Sequence, residues 1–263
     1  MTSPANPRTW PLRAPSAVHV RVALEMTSVV LLVAFAWQLL GTWNSDWARL
    51  YAGGDLGGYL HGARRFLDTG SPYLPAHVAG PWTLEAHSFV HPPAALALFV
   101  PFLTLPAVLW WATPIGVTAW LLARLRPARW TWPLLVLCLI WPRLIGSLLA
   151  GNSDMWAMAI VALGAAFAWP FVFLVIKPTF APIALLGSRR RSWWIAAAVV
   201  GVANLVALPL WLEYLAVVRN SQLRLDYSLL NLPLVALPAI AWLGRSRRPE
   251  AAAPEGAATT SPR

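Results

Sequence analysis

The chain has 263 residues, of which 58% are hydrophobic and 11% are charged. Soluble domains carry about 25% charged residues, so this composition excludes an ordinary soluble protein and indicates an integral membrane protein. The formal net charge is +10, and Lys177 is the only lysine. Because the arginines flank apolar runs, the positive-inside bias of membrane proteins explains them without nucleic acid. The single cysteine, Cys138, allows no intrachain disulfide.

Eight apolar stretches follow one another along the chain, and a bilayer-spanning helix needs about 20 such residues. The stretches lie at residues 20–41, 92–105, 106–123, 131–149, 152–169, 170–187, 193–212 and 228–243. They predict an all-α fold, a polytopic transmembrane helical bundle of about eight spans within residues 20–244. Residues 1–19 and the low-complexity segment 245–263 show no apolar period, so we expect both to be disordered.

The arginines indicate how these spans are oriented, because positive residues favour the cytoplasmic side of a membrane. If the arginines of residues 8–21 are cytoplasmic, residues 42–91 form a large outward-facing loop. Eight crossings then return the arginines of 189–191 and 245–248 to the cytoplasm, but they leave those of 124–129 outside. We expect a multi-pass protein of a bacterial plasma membrane with both termini in the cytoplasm.

The outward loop contains GGDLGGYLHGARRFLDTG, residues 53–70, which predicts a short helix ending near its last glycine. Asp55 stands at the start, where aspartate is a preferred N-cap residue. A carboxylate beside a bound hydroxyl can also act as a general base, so the residue type alone leaves both roles open. Gly57 and Gly58 each weaken a helix by about 1 kcal/mol, which favours the close approach of a ligand.

At helical spacing, one side of this segment carries Asp55, Tyr59, Gly62 and Arg65. A carboxylate, an aromatic ring and a guanidinium around a glycine gap suit a sugar phosphate. Arg64 is a second candidate ligand for the phosphate. The alternative is an interfacial helix whose two arginines meet anionic membrane lipids.

Three later residues are further candidates for substrate binding. His91 precedes two prolines that suit a helix start, and it is either an interfacial residue or a group at the mouth of the site. Lys177 lies in an apolar run, where a charge costs at least about 2.5 kcal/mol, so it either snorkels to the interface or binds phosphate at a helix break. Asn152 is either a residue of a plain connecting loop or a polar group of the site.

The sequence contains no cluster with metal-ligand spacing and no phosphate-binding glycine loop. We therefore predict neither a metal nor another cofactor.

In their order along the chain, GGDLGGYLHGARRFLDTGSPYLP, FVHPPAALALFVPF, GNSDMW and IKPTFAP resemble a known family. It is the polyprenyl-phosphate-mannose-dependent alpha-mannosyltransferases, glycosyltransferase family 87 of the C-type superfamily. The resemblance covers about residues 55–191, and against that family we expect the chain to be shortened after IKPTFAP. It implies a C-type glycosyltransferase-like bundle whose outward first loop contains short interfacial helices and lies over the site. It also implies that Asp55 is the catalytic aspartate.

The resemblance implies a polyprenyl-phosphate sugar donor, with mannose expected, and a lipid-linked or cell-envelope glycan as acceptor. The predicted function is an inverting membrane glycosyltransferase, a hexosyltransferase, in which Asp55 takes the proton of the acceptor hydroxyl. Arg64, Arg65 and Lys177 would stabilise the leaving phosphate.

Two other classes fit the same residues. One is a transporter or flippase of a lipid-linked sugar precursor, which broken helices and intramembrane charge also suit. The other is a shortened noncatalytic subunit bound to a membrane protein partner. None of the three involves nucleic acid.

Overall fold

The computed structural model describes residues 17–45, 52–83, 88–222 and 229–245. These ranges are helical, with two isolated β-bridges, which confirms the all-α prediction. The α-helices are α1 (Ala17–Trp43), α2 (Gly54–Thr69), α3 (Pro75–Ala79), α4 (Leu96–Phe99), α5 (Val108–Leu125), α6 (Trp132–Leu139), α7 (Pro142–Ala150), α8 (Asp154–Phe167), α9 (Arg191–Val206), α10 (Leu208–Asn220) and α11 (Leu232–Leu243). 3-10 helices occupy Pro93–Ala95, Val100–Leu103, Arg129–Thr131, Trp169–Ile176 and Pro178–Gly187. Of the predicted disordered ends, 1–19 and 245–263, residues 1–16 and 246–263 lie outside the described residues. The prediction is wrong for residues 17–19, which belong to α1, and for Arg245, which forms a β-bridge with Pro127.

Several helices are long and apolar enough to cross a bilayer. Val20–Thr42, within α1, and Val108–Leu125, which is α5, each meet this requirement alone. Two bent pairs, α6 with α7 and α9 with α10, turn by 65° and 79° at their breaks. The described residues thus hold two candidate membrane-spanning helices, or up to four if each bent pair is one span, and the chain is a membrane protein.

One end of the bundle collects the arginines, and we call it the arginine end. Glu25, near the start of α1, accepts hydrogen bonds from Arg21 (3.0 Å) and Arg129 (2.9 Å). The N–H of Ala128 donates to the carbonyl of Gly244, at the end of α11, over 2.7 Å. The start of α1, the loop after α5 and the end of α11 therefore lie together.

The arginines of 189–191 lie at this same end. Trp120, in the last turns of α5, stacks on Phe167 at the end of α8, with ring centroids 6.2 Å apart. Ala168, which follows Phe167, packs against Gly187. A Cβ on Gly187 would lie 2.7 Å from the Ala168 carbonyl oxygen. Exposed tryptophans surround this end, as in the aromatic belts of membrane interfaces; they are Trp120, Trp130, Trp132, Trp169, Trp194 and Trp242.

The opposite end, which we call the Asn152 end, joins the predicted outward loop to the bundle. The N–H of Gly53, just before α2, donates to the carbonyl of Leu149 at the end of α7 (2.8 Å). The indole of Trp110, at the start of α5, donates to the carbonyl of Gly151 (2.8 Å). The helices α2, α5 and α8 thus begin where α7 ends.

The segment 93–103 stays at the Asn152 end, so the prediction of a span at 92–105 is wrong. Phe99 stacks on Tyr59 of α2, with ring centroids 4.6 Å apart. Phe102 meets the edge of Trp110, at the start of α5, over 5.0 Å. Prolines and 3-10 turns keep this segment too short to reach the arginine end.

The segment 170–187, predicted as one span, is a hairpin. Trp169–Ile176 runs from the arginine end to Lys177, and Pro178–Gly187 returns. Because the chain does not pass between the two ends at 93–103 but passes once more here, the arginines of 124–129 lie at the same end as those of 189–191. The conflict in the sequence-based orientation therefore disappears.

A buried aromatic cluster fixes the outward loop on the bundle. It combines Tyr59 from α2 with Phe89, Phe99 and Trp110 from later segments. Burying each such ring contributes about 1.5 to 3 kcal/mol, so this cluster holds α2 firmly against the Asn152 end.

Candidate functional site

The helix α2 places Asp55 at the Asn152 end, but not as its N-cap. Gly53 occupies the cap position with φ +71°, a left-handed conformation that favours glycine, and no side chain caps the helix. Asp55 is the second helical residue, so the N-cap interpretation is wrong. The predicted end of the helix is confirmed, because Gly70 follows its last residue with φ +81° and donates to the carbonyl of Phe66.

The turn between α7 and α8 brings Asn152 beneath Asp55. Gly151 ends α7 in a left-handed conformation, with φ +73°. A Cβ on Gly151 would lie 3.1 Å from Leu56 Cβ, so the glycine allows α2 to approach closely. The Asn152 side-chain oxygen then accepts the N–H of Asp154 over 3.0 Å, which satisfies a free amide in the first turn of α8.

A continuous polar network starts at Asp55. The Asn152 Nδ2 donates to Asp55 Oδ2 over 2.7 Å, and Lys177 Nζ donates to Asn152 Oδ1 over 2.9 Å. Lys177 also forms an ion pair with Asp154. The second oxygen of Asp154 accepts a hydrogen bond from Asn231 Nδ2. Five side chains from α2, the 151–153 turn, the 169–187 hairpin, α8 and the start of α11 are therefore joined.

Lys177 is buried at the tip of the hairpin, with 8% of its surface exposed, while Asp154 is fully buried. The residue separates the two 3-10 helices, because Pro178 cannot continue the first one. This placement confirms the predicted helix break and excludes snorkelling to the interface. A charged group that is buried to this extent requires a partner of opposite charge, and the Asp154 carboxylate is that partner.

Three helices and the returning half of the hairpin begin at this network, so the positive ends of their dipoles face it. Asp55 lies in the first turn of α2 and Asp154 in the first turn of α8. Asn231 immediately precedes α11. These dipoles favour carboxylates at the site, and they would also favour an anionic substrate.

Asp55 is the accessible end of the network. Its side chain is half-buried, and burial raises the pKa of the carboxyl above its ordinary value. The Asn152 hydrogen bond and the Lys177 charge act in the opposite direction. Among the described residues, only Asn152 donates a hydrogen bond to this carboxylate. One carboxylate oxygen is therefore held, and the other receives no hydrogen bond from the described residues.

Tyr59 and His91 pack together beside the network. Phe99 stacks on one face of the Tyr59 ring, and His91 forms a T-shaped contact with the same ring. The ring centroids are 4.6 Å apart in both pairs. The Tyr59 hydroxyl accepts the N–H of Ser153 over 3.4 Å. The sugar-stacking face suggested by the sequence is thus filled by protein. Burial, with the Lys177 charge as a second cause, lowers the pKa of His91 to about 3, so its ring is neutral.

The glycine gap at Gly62 is also filled. A Cβ at this position would lie 2.1 Å from Phe89 Cδ2. Gly62 therefore serves the packing of Phe89 against α2 and leaves no space for a ligand. Gly57, in contrast, has nothing within 4 Å of the Cβ position.

Arg64 and Arg65 are not part of the network. They follow Asp55 by nine and ten residues, which places them about 14 and 15 Å farther along the helix axis. Arg64 is exposed and Arg65 is half-exposed. The structure therefore joins Asp55, Asn152 and Lys177, packs Tyr59 and His91 beside them, and leaves both arginines apart.

Two members of the network are not among the predicted site residues. Asp154 lies in the same GNSDMW segment as Asn152, and Asn231 precedes the last helix. One signal was available for Asp154, because a lone lysine in an apolar run needs a buried carboxylate. No local pattern marks Asn231, since its partner is 77 residues away.

Within the described ranges, no group of three or more His, Cys, Asp or Glu side chains could hold a metal ion. The network itself offers two carboxylates, a lysine and two amides. A scan against protein-family models, a search of curated proteins and a search of solved structures each gave no match.

Proposed function

We propose that the chain is a membrane glycosyltransferase that transfers a sugar, with mannose expected, from a polyprenyl-phosphate donor. The acceptor is a lipid-linked or cell-envelope glycan at the outer face. The observation that carries the proposal is the half-exposed Asp55 carboxylate, whose pKa is raised by burial and of which one oxygen is held by Asn152. Raising the pKa of a carboxyl makes its ionised form a stronger proton acceptor.

In the proposed reaction, the acceptor hydroxyl oxygen attacks the anomeric carbon of the donor. The bond between that carbon and the phosphate oxygen breaks as the new glycosidic bond forms, which inverts the configuration. The hydroxyl proton passes to Asp55, and the polyprenyl phosphate leaves with the electron pair. The converging helix N-termini at the Asn152 end favour this developing negative charge.

The proposed orientation places the Asn152 end outside and the arginine end in the cytoplasm. The shared position of the arginines at 21, 124, 129, 189–191 and 245 supports it, because the positive-inside rule places most arginines on the cytoplasmic side. Arg64 and Arg65, on α2, lie on the outer side. We infer from this arrangement a C-type glycosyltransferase-like bundle that passes eight times between its two ends, with the 169–187 hairpin supplying two short passes. A membrane-soluble donor reaches such a site from the bilayer.

The test uses purified full-length protein with labelled polyprenyl phosphomannose and cell-envelope lipids, and mass spectrometry of the products. We expect a glycosylated lipid with the wild-type protein and none with Asp55→Asn. The matched control is Asp68→Asn, since Asp68 is an exposed carboxylate near the other end of α2. Full transfer by Asp55→Asn, or equal loss in both variants, would contradict the role of Asp55.

A second candidate is a transporter or flippase of a lipid-linked sugar. The observation that favours it is the 169–187 hairpin, which is broken at the buried Lys177, since broken helices mark many transport sites. Proteoliposomes carrying a fluorescent lipid-linked sugar separate the two functions. Movement of the lipid between leaflets without sugar transfer would favour transport.

A further inference from the structure

The side-chain amide of Asn152 has a single possible orientation in the network. Its oxygen accepts two hydrogen bonds, from Lys177 Nζ at 2.9 Å and from the N–H of Asp154 at 3.0 Å. Its nitrogen donates to Asp55 Oδ2 at 2.7 Å. A flipped amide would direct its NH2 group at an ammonium and an N–H, which are both donors.

We propose that Asn152 and Lys177 are positioning residues for Asp55, and that Lys177 does not bind the substrate phosphate. Lys177 locks the Asn152 amide, and the amide fixes the Asp55 carboxylate so that Oδ1 faces the acceptor hydroxyl. This inference rests on the proposed function, because it assigns how the base of that reaction is oriented.

The hydrogen bonds of Lys177 support a positioning role. The side chain is 8% exposed, and its ammonium contacts both Asn152 and Asp154. Its charge is balanced by Asp154, so it offers an incoming phosphate less attraction than an unpaired cation would. Reaching a phosphate would require breaking the ion pair, which would leave Asp154 buried and charged.

Within the described part of the chain, few charged and titratable groups lie around Asp55. Lys177 faces it from the hairpin, Asp154 from α8, and the Tyr59 hydroxyl from its own helix. His91, from the segment before α4, is buried and neutral. The Lys177 charge and the Asn152 hydrogen bond favour the ionised carboxylate, while burial and Asp154 oppose it. Removing Lys177 or Asn152 should therefore shift Asp55 titration toward higher pH.

The test measures Asp55 protonation directly. Full-length protein labelled with carbon-13 aspartate is titrated in lipid nanodiscs, and the carboxyl infrared band is assigned to Asp55 by its absence in Asp55→Asn. We expect the midpoint to move to higher pH in Asn152→Ala and in Lys177→Met. The matched control is Arg64→Met, which removes a positive charge about 14 Å along the same helix and should leave the midpoint unchanged.

Midpoints that are unchanged in Asn152→Ala and Lys177→Met, or equally shifted in Arg64→Met, would overturn the inference. Asn152→Ala keeps the Lys177–Asp154 pair, so it decides the question if Lys177→Met fails to fold. A second readout is kinetic. A higher KM for the polyprenyl phosphomannose donor in Lys177→Met, with the midpoint unmoved, would show phosphate binding and overturn positioning.

The infrared result does not depend on catalysis. Shifted midpoints in a protein that transfers no sugar would refute the proposed function and still support the coupling of Asp55 to Asn152 and Lys177. Sugar transfer with unmoved midpoints would support the function and refute the positioning role.

Discussion

Breaking the Lys177–Asp154 pair should strongly destabilise the fold. Asp154 is fully buried and Lys177 is 8% exposed, so either residue alone would leave an uncompensated charge inside the protein. Removing one partner of a buried pair costs about 3 to 5 kcal/mol. We therefore expect Lys177→Met and Asp154→Asn each to lower the free energy of unfolding by about that amount.

The double variant Lys177→Met/Asp154→Asn should cost no more than about one of the single changes. Neither charge remains to be buried, and asparagine at 154 still offers an oxygen to Asn231. The expected coupling between the two sites is therefore at least about 3 kcal/mol.

The assay is unfolding by sodium dodecyl sulfate in mixed micelles, followed by fluorescence of the 17 tryptophans. Arg64→Met serves as control, because Arg64 is exposed and should change stability by less than about 0.5 kcal/mol. Single variants whose effects simply add in the double variant would refute the buried ion pair.

The two glycines of α2 and His91 provide further tests. Gly62→Ala should destabilise the protein by about 1 to 3 kcal/mol, because the new Cβ would overlap the Phe89 ring; Gly57→Ala, where the space is open, should be neutral or stabilising by up to about 1 kcal/mol. His91 is held neutral with a pKa of about 3, so only the unfolded chain binds a proton at this residue between pH 6.5 and pH 3. Stability should fall as the pH is lowered through this window, and His91→Phe should flatten that dependence in the same micelle assay. A slope unchanged in His91→Phe would contradict the burial of a neutral ring.

Several features of the site were predictable from local patterns. The helix after Gly53, its end at Gly70 and the break before Pro178 each follow from the conformational preferences of glycine and proline. The polar character of residues 152 and 177 was visible as an interruption of apolar runs. Such signals depend only on neighbouring residues, so they survive without knowledge of the fold.

Other features depended on which segments meet. Gly62 was a candidate gap for a ligand, yet Phe89 from another segment fills it. Tyr59 was a candidate stacking platform, yet Phe99 covers its face. The apolar length of residues 92–105 predicted a span. Length alone does not show that Phe99 and Phe102 pack at the same end of the bundle.

By itself the sequence determined that this is a helical membrane protein, because its apolar stretches and scarce charges permit little else. It also determined that Asp55 stands at the start of a helix outside the apolar stretches. Only the tertiary structure decided that Asp55 is joined through Asn152 to Lys177 and Asp154, since these contacts link residues 23 to 97 positions apart. The physical reason is that a buried charge is stable only beside a partner of opposite charge. The sequence near the charge does not show where in the chain that partner lies.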